Sequence, residues 1–237
     1  MSPDPAAGVR VVQDWGVPVE PAASVWDFPP VAVAGASDIV AGGADLQPGT
    51  VLAAYRRGLF PMPDHRGSLL WWSPVDRGVI EVAGYQPSRS VRRARSKFEI
   101  RVNTAFDRVI RACADPRRPG SWIDRGIIAS YTELHRLGWV HSVEAWDGDE
   151  LAGGLYGVAI GGLFAGESMF HHKTDGSKAA VAGLIELLDD EYADQRVLDI
   201  QWVTDHLATL GAVSIPRETY VRRVANAVNL PLPKAFS

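Results

Sequence analysis

The run HSVEAWDGDELAGGLYGVAIGGLFAGESM, residues 141–169, decides the fold. It divides into three apolar stretches, His141–Trp146, Leu151–Ile160 and Leu163–Met169, separated by Asp147-Gly148 and Gly161-Gly162. Such pairs mark two-residue hairpin turns, because glycine adopts positive φ without a Cβ clash. The stretch therefore reads as an antiparallel meander of three strands. Its internal glycines, Gly153 to Gly166, are not followed by Gly-Lys-Ser/Thr, so they do not form a phosphate loop. Close backbone approach or bulges account for them.

Working outward, a helix is expected over Ser177–Leu188, a buried strand over Val197–Gln201, a short helix over Asp205–Leu210 and a last helix over Glu218–Val228. Before the meander lie a helix from Ile123 to Leu137 stopped by Gly138, and a helix ending near Cys113 with Asn103 or Thr104 as its cap. A short strand over Phe98–Val102 and a basic helix over Ser88–Ser96 precede them. This order predicts an α+β fold with a mixed, mainly antiparallel sheet flanked by helices, not the regular alternation of a dinucleotide fold. Residues 26–75 are dense in Gly, Pro and aromatics and read as a small N-terminal domain, with a helix over Thr50–Arg57 ended by Gly58. Residues 1–25 read as a flexible arm, and residues 76–237 as the larger domain.

No apolar run reaches the roughly 18 residues of a membrane span, and the start Met1-Ser2-Pro3-Asp4 lacks a secretory pattern. The one cysteine, Cys113, cannot form an internal disulfide, which fits a reducing cytosol; a buried, inert thiol is expected. The net charge of -4 argues against a nucleic-acid binder, but it hides segregation. Arg89, Arg92, Arg93, Arg95, Lys97 and Arg101 fall within thirteen residues, more cations than a solvated helix face needs. The alternative is a solvated face with local acidic partners.

Candidate chemistry starts at Asp199-Ile200-Gln201. In a regular strand Asp199 and Gln201 share a face and Ile200 takes the other. Polar groups on an apolar strand must be hydrogen-bonded, either as a structural pair or as a site. Glu167 closes an apolar strand, where carboxylates border clefts or merely end turns. Ser168 lacks the Gly-x-Ser-x-Gly elbow, because Phe170 occupies the last position, which discounts a serine hydrolase. Trp71, Trp72, Trp122, Tyr55 and Tyr131 offer faces for stacking on bases, or simply fill a core. His171 and His172 are adjacent, and His141 and His206 isolated, so no spacing matches a metal site.

The stretches Ala53–Pro61, Trp71–Pro74, Ser121–Ile123, His141–Glu144, Gly153–Gly157, Gly166–Phe170, Gly176–Lys178 and Asp199–Gln201 together resemble the leucyl/phenylalanyl-tRNA–protein transferase family, over about Val40 to Val228. The resemblance implies a small N-terminal domain and an N-acetyltransferase-like larger one. It implies transfer of Leu or Phe, less often Met, from aminoacyl-tRNA to proteins beginning with Arg or Lys, which are thereby marked for N-end-rule degradation. The expected enzyme is a cytoplasmic monomer without cofactor or metal. Residues matching the family's catalytic positions are Asp199 and Gln201, with Glu167 nearby. The pocket for the transferred side chain falls on Leu155, Phe164, Val181, Leu184 and Leu198. Trp122 and Tyr131 match positions near the donor's 3′ end, Tyr55 and Trp72 are further expected substrate-binding residues, and Arg89, Arg93 and Lys97 suit its acceptor stem. Met62 stands where family members commonly carry a tryptophan that stacks on the terminal adenine. On this reading Asp199, through Gln201, orients and helps deprotonate the attacking amine. Two rivals remain: a CoA-dependent N-acetyltransferase, although His171–Lys178 lacks a pyrophosphate loop, and an RNA-binding protein using the basic helix.

Overall fold

The computed structural model describes residues 9–11, 16–118 and 122–237. In chain order, β1 (Val9–Val11) and β2 (Ile39–Gly42) precede α1 (Pro48–Arg56). Then come β3 (Phe60–Pro63), β4 (Leu69–Trp72), β5 (Asp76–Ile80), α2 (Arg89–Arg95), β6 (Glu99–Val102), α3 (Phe106–Cys113) and α4 (Arg125–Arg136). The meander is β7 (Val140–Asp147), β8 (Glu150–Ile160) and β9 (Leu163–His171). The chain finishes with α5 (Gly176–Leu188), β10 (Val197–Gln201), α6 (Asp205–Ala208), β11 (Ala212–Pro216) and α7 (Arg217–Ala227).

The main sheet has eight strands in the order β1-β6-β7-β8-β9-β10-β5-β11. Only β1 with β6 and β10 with β9 run parallel, so the sheet is mixed and mainly antiparallel. The three strands β2-β4-β3 make a separate antiparallel sheet. Alternating side chains of β8 feed two cores. Leu155 and Ala159 pack with α5 and α2, while Tyr156 and Val158 pack with α1, α3 and α4. The crossover through α5 is what lets β10 lie parallel to β9.

Several boundaries moved for identifiable reasons. The first meander turn is Gly148-Asp149, one residue later than expected, because Asp147 pairs with Glu150 and Gly148 supplies the positive φ of 60°. α3 is not capped by Asn103 or Thr104. Its N-cap is Ala105, and the buried Glu144 of β7 accepts the backbone N–H groups of Thr104 (3.2 Å) and Ala105 (3.3 Å) instead. Strands β2, β5 and β11 were not expected; they are four or five residues long and paired by distant segments.

Of the arm expected over 1–25, residues 1–8 and 12–15 lie outside the described residues, and Val9–Val11 pairs with β6. Residues 16–25 are held down. Val19 N–H donates to Leu137 O at 2.9 Å, Trp139 Nε1 donates to Val19 O at 2.9 Å, and Glu20 pairs with Arg56 at 2.7 Å. Gly49 lets this segment cross α1 directly, since a Cβ there would sit 2.0 Å from Ala22 O.

Candidate active site

β10 stays paired with β9 only from Val197↔Leu163 to Asp199↔Ala165. β9 continues to His171, while β10 breaks at a bulge between Asp199 and Gln201. Where the strands part, a cavity of about 220 Å³ opens. Leu155, Val181, Leu184 and Leu198 line it as expected of an apolar pocket, and Ile80, Ile200 and Leu207 complete that wall. Met62 and Trp122 line it too, with Glu167 and Gln201 at its polar side. Phe164 does not line it. Its ring packs on Phe236 at 5.3 Å, deeper in the same core.

Tyr55 and Tyr131 do not border the cavity either; they stand behind it as partners of Glu167. Tyr55 OH donates to Glu167 Oε1 at 2.6 Å, Tyr131 OH lies 3.2 Å from Oε2, and the two hydroxyls are 2.7 Å apart. Two tyrosine protons cannot fill all of these hydrogen bonds. A protonated Glu167 supplies the missing proton and closes the ring: Glu167 to Tyr131, Tyr131 to Tyr55, Tyr55 back to Glu167. Burial, opposed by the Tyr55 hydrogen bond, pushes the Glu167 carboxyl up to about 8. Below that pH the neutral carboxyl is favoured, within a ring assembled from α1, α4 and β9.

Asp199 corrects the sequence reading. Its side chain is fully buried and does not line the cavity. Oδ1 accepts from Arg77 Nε at 2.7 Å and from the Gln201 backbone N–H at 3.0 Å. Oδ2 accepts from Arg77 Nη2 at 2.6 Å and from Tyr220 OH at 2.9 Å. Each of its oxygens thus accepts two hydrogen bonds from the protein, and neither faces the cavity. Burial pulls the Arg77 guanidinium down, but the Asp199 charge overrides it and holds it above its usual value. Arg77 also lies between the rings of Phe60 and Tyr220, at 4.7 and 4.2 Å.

What Asp199 does is hold Gln201. That residue has φ +59°, left-handed for a non-glycine, at a bulge whose extra residue is Ile200. The bulge breaks strand alternation: Leu198, Ile200 and Gln201 line the cavity while Asp199 faces away. Ile200 is therefore a wall residue and not the core residue that the alternation implied. Gln201 lines the cavity and is 9% exposed, and its Nε2 is buried without a hydrogen-bond partner.

Arg77, Tyr220 and Trp202 were missed from sequence. Arg77 carried a signal, since a buried carboxylate requires a paired charge and this arginine stands in an apolar run. Trp202 lines the cavity and packs edge-on against Phe60 (5.2 Å) and Trp72 (5.8 Å). Trp72 lies outside the cavity and is tied to Met62 O at 2.9 Å. In the basic segment Lys97 binds Asp175 at 2.6 Å, Arg95 binds Glu186 at 2.8 Å and Arg101 binds Glu99 at 2.7 Å. Arg89 and Arg93 are exposed and take no carboxylate partner among the described residues. Cys113 is buried and its thiol pushed up to about 12 by desolvation, as an inert thiol should be. Among the described residues no helix is long and apolar enough to cross a membrane, and no group of three His, Cys, Asp or Glu could hold a metal ion.

An apolar pocket bordered by Glu167 and the Gln201 amide is compatible with an acyltransferase. The family model described as leucyl/phenylalanyl-tRNA protein transferase matches residues 79–225, and the model of that family's N-terminal domain matches residues 44–75. The chain is 42% identical to the leucyl/phenylalanyl-tRNA–protein transferase of Anaeromyxobacter dehalogenans (strain 2CP-C) over 91% of each chain. It is 48% identical to that of Chlorobium limicola, over 78% of this chain and 97% of the relative. The Shewanella denitrificans relative of the same name is 43% identical over 79% and 80%. This chain belongs to the leucyl/phenylalanyl-tRNA–protein transferase family, and is an aminoacyltransferase.

Proposed function

We propose that the enzyme moves Leu or Phe, and less often Met, from aminoacyl-tRNA to the N-terminal Arg or Lys of proteins, as a monomer in the cytoplasm, so that they enter N-end-rule degradation. Residues 26–75 act as a small domain lending Tyr55 and Met62 to a catalytic domain over 76–237. The observation that carries the reading is the apolar cavity at the parting of β9 and β10, with the unpartnered Gln201 amide and Glu167 at its polar side.

The donor is an ester and the product an amide, so the reaction runs downhill without ATP. The acceptor α-amine, with an ordinary pKa of about 7.7–8.0, is partly neutral at physiological pH. Its lone pair attacks the ester carbonyl, the tetrahedral intermediate collapses, and the ribose oxygen leaves with a proton. Alignment of amine and carbonyl supplies much of the barrier reduction. Gln201 Nε2 donates to the developing oxyanion. Asp199 and Arg77 act as positioning residues that fix the Gln201 backbone. Glu167 faces the acceptor, and an arriving cation draws its carboxyl toward the ionised form. Leu155, Val181, Leu184 and Leu198 take the transferred side chain; because one methylene is worth about 1–3 kcal/mol, donor selectivity is modest.

The test is transfer of radiolabelled Leu from charged tRNA to a peptide beginning with Arg, beside one beginning with Ala, without ATP or added metal. Incorporation into the Arg peptide alone supports the assignment. No incorporation from Leu, Phe or Met donors overturns it.

A further inference from the structure

We propose that a second groove beside the reaction cavity holds phosphodiesters of the donor's unpaired 3′ end, with Ser177, His171, His172 and His206 as their hydrogen-bond donors. The inference rests on the reading that charged tRNA is the donor. The groove, about 430 Å³, forms where the end of β9, the first turn of α5, the end of α3 and α6 meet. Met169 lines both this groove and the reaction cavity, so the two are contiguous.

Ser177 is only 5% exposed, lines the groove, and its hydroxyl makes no hydrogen bond to any described residue. The hydroxyl is therefore available to a ligand or water in the groove. It stands in the first turn of the thirteen-residue α5, whose N-cap Asp175 makes no capping hydrogen bond to the backbone of that turn and pairs instead with Lys178 at 3.2 Å. The turn's N–H groups and the helix dipole both favour an anion. On the opposite wall Arg118 is half-buried and clamped to the carbonyls of Cys113 and Met169 at 2.5 Å, with no carboxylate partner among the described residues. Its positive charge therefore stays at the groove. Asp115, the one carboxylate among the described residues that line the groove, is paired with Arg117 at 2.8 Å. The imidazoles donate N–H in either protonation state.

The groove also lies on a continuous route. Two residues before Ser177 is Asp175, gripped by Lys97 at 2.6 Å. From Lys97 the exposed Arg93 and Arg89 of α2 carry the positive surface away from the cavity. A strand whose terminal ester sits in the cavity would run past Met169, through the groove and out along α2. The lining is mixed: an RNA backbone meets donors at Ser177 and the histidines, and its sugars meet apolar surface at Met169 and Phe170.

The experiment compares two Leu donors, full leucyl-tRNA and leucyl-adenosine, which carries no phosphate. Both are given to the wild type, Ser177→Ala, His206→Ala and the double variant His171→Ala/His172→Ala. Expected for the variants is a KM for leucyl-tRNA raised roughly three- to ten-fold with kcat held within about twofold. Transfer from leucyl-adenosine stays as in the wild type. An unchanged KM for leucyl-tRNA overturns the proposal, and so does an equal loss with both donors, which would make the groove structural. Failure of the wild type with both donors overturns the donor assignment itself, and this inference with it.

Discussion

Asp199 Oδ1 lies 3.0 Å from the backbone nitrogen of Gln201, and that hydrogen bond spans the bulge that turns Gln201 toward the cavity. The pair divides the work: a buried ion pair supplies rigidity and the neighbouring amide supplies chemistry.

Gln201→Ala should therefore lower kcat by roughly 10²–10³, the usual loss for one oxyanion donor, with little change in donor KM. Single-turnover transfer from leucyl-tRNA measures this. Activity within about threefold of wild type would remove Gln201 from the mechanism.

Asp199→Ala should act first on stability. It strands the Arg77 guanidinium in the interior, and loss of one partner of a buried pair costs about 3–5 kcal/mol. Urea unfolding reads that loss. The double variant Arg77→Met/Asp199→Leu should recover much of the stability and none of the activity, because no acceptor would then hold the Gln201 N–H.

Glu167 gives a pH signature. Its folded carboxyl titrates at about 8 against an ordinary value of 4.5, so between these the folded state binds the extra proton. Its contribution to stability is complete below about 4.5 and is lost as pH rises toward 8. Unfolding free energy measured from about pH 5 to 8 should fall for the wild type relative to Glu167→Gln, by an amount on the order of a few kcal/mol. Parallel curves would refute the closed hydrogen-bond ring.

Val181→Phe should fill the donor pocket from the α5 side. Transfer of Phe should drop about tenfold relative to Leu, since overfilling penalises the larger guest. The ratio of kcat/KM values for the two charged tRNAs is the readout.

Met62→Trp should tighten donor binding. Met62 lines the cavity together with Trp122, and a planar ring there could stack on a base, worth about 1–3 kcal/mol. A lower KM for leucyl-tRNA is expected. A raised KM would mean that Trp202 already occupies that space.

The sequence by itself determined the meander, α5 and β10, because period-two apolar runs, paired turn residues and a long apolar helical stretch are local signals. It also determined the family, through the order and spacing of short motifs, and the apolar positions Leu155, Val181, Leu184 and Leu198 of the cavity wall. Tertiary structure alone decided which face each polar group took. Alternation placed Asp199 and Gln201 together, and a one-residue bulge separated them, because a bulge is set by pairing with a distant strand, here β5. Arg77 beside Asp199 and Tyr55 and Tyr131 around Glu167 come from residues 36 to 122 positions apart, brought together only when two cores form on opposite faces of one sheet. The charge state of such groups follows from burial and partners, which no local window of sequence contains.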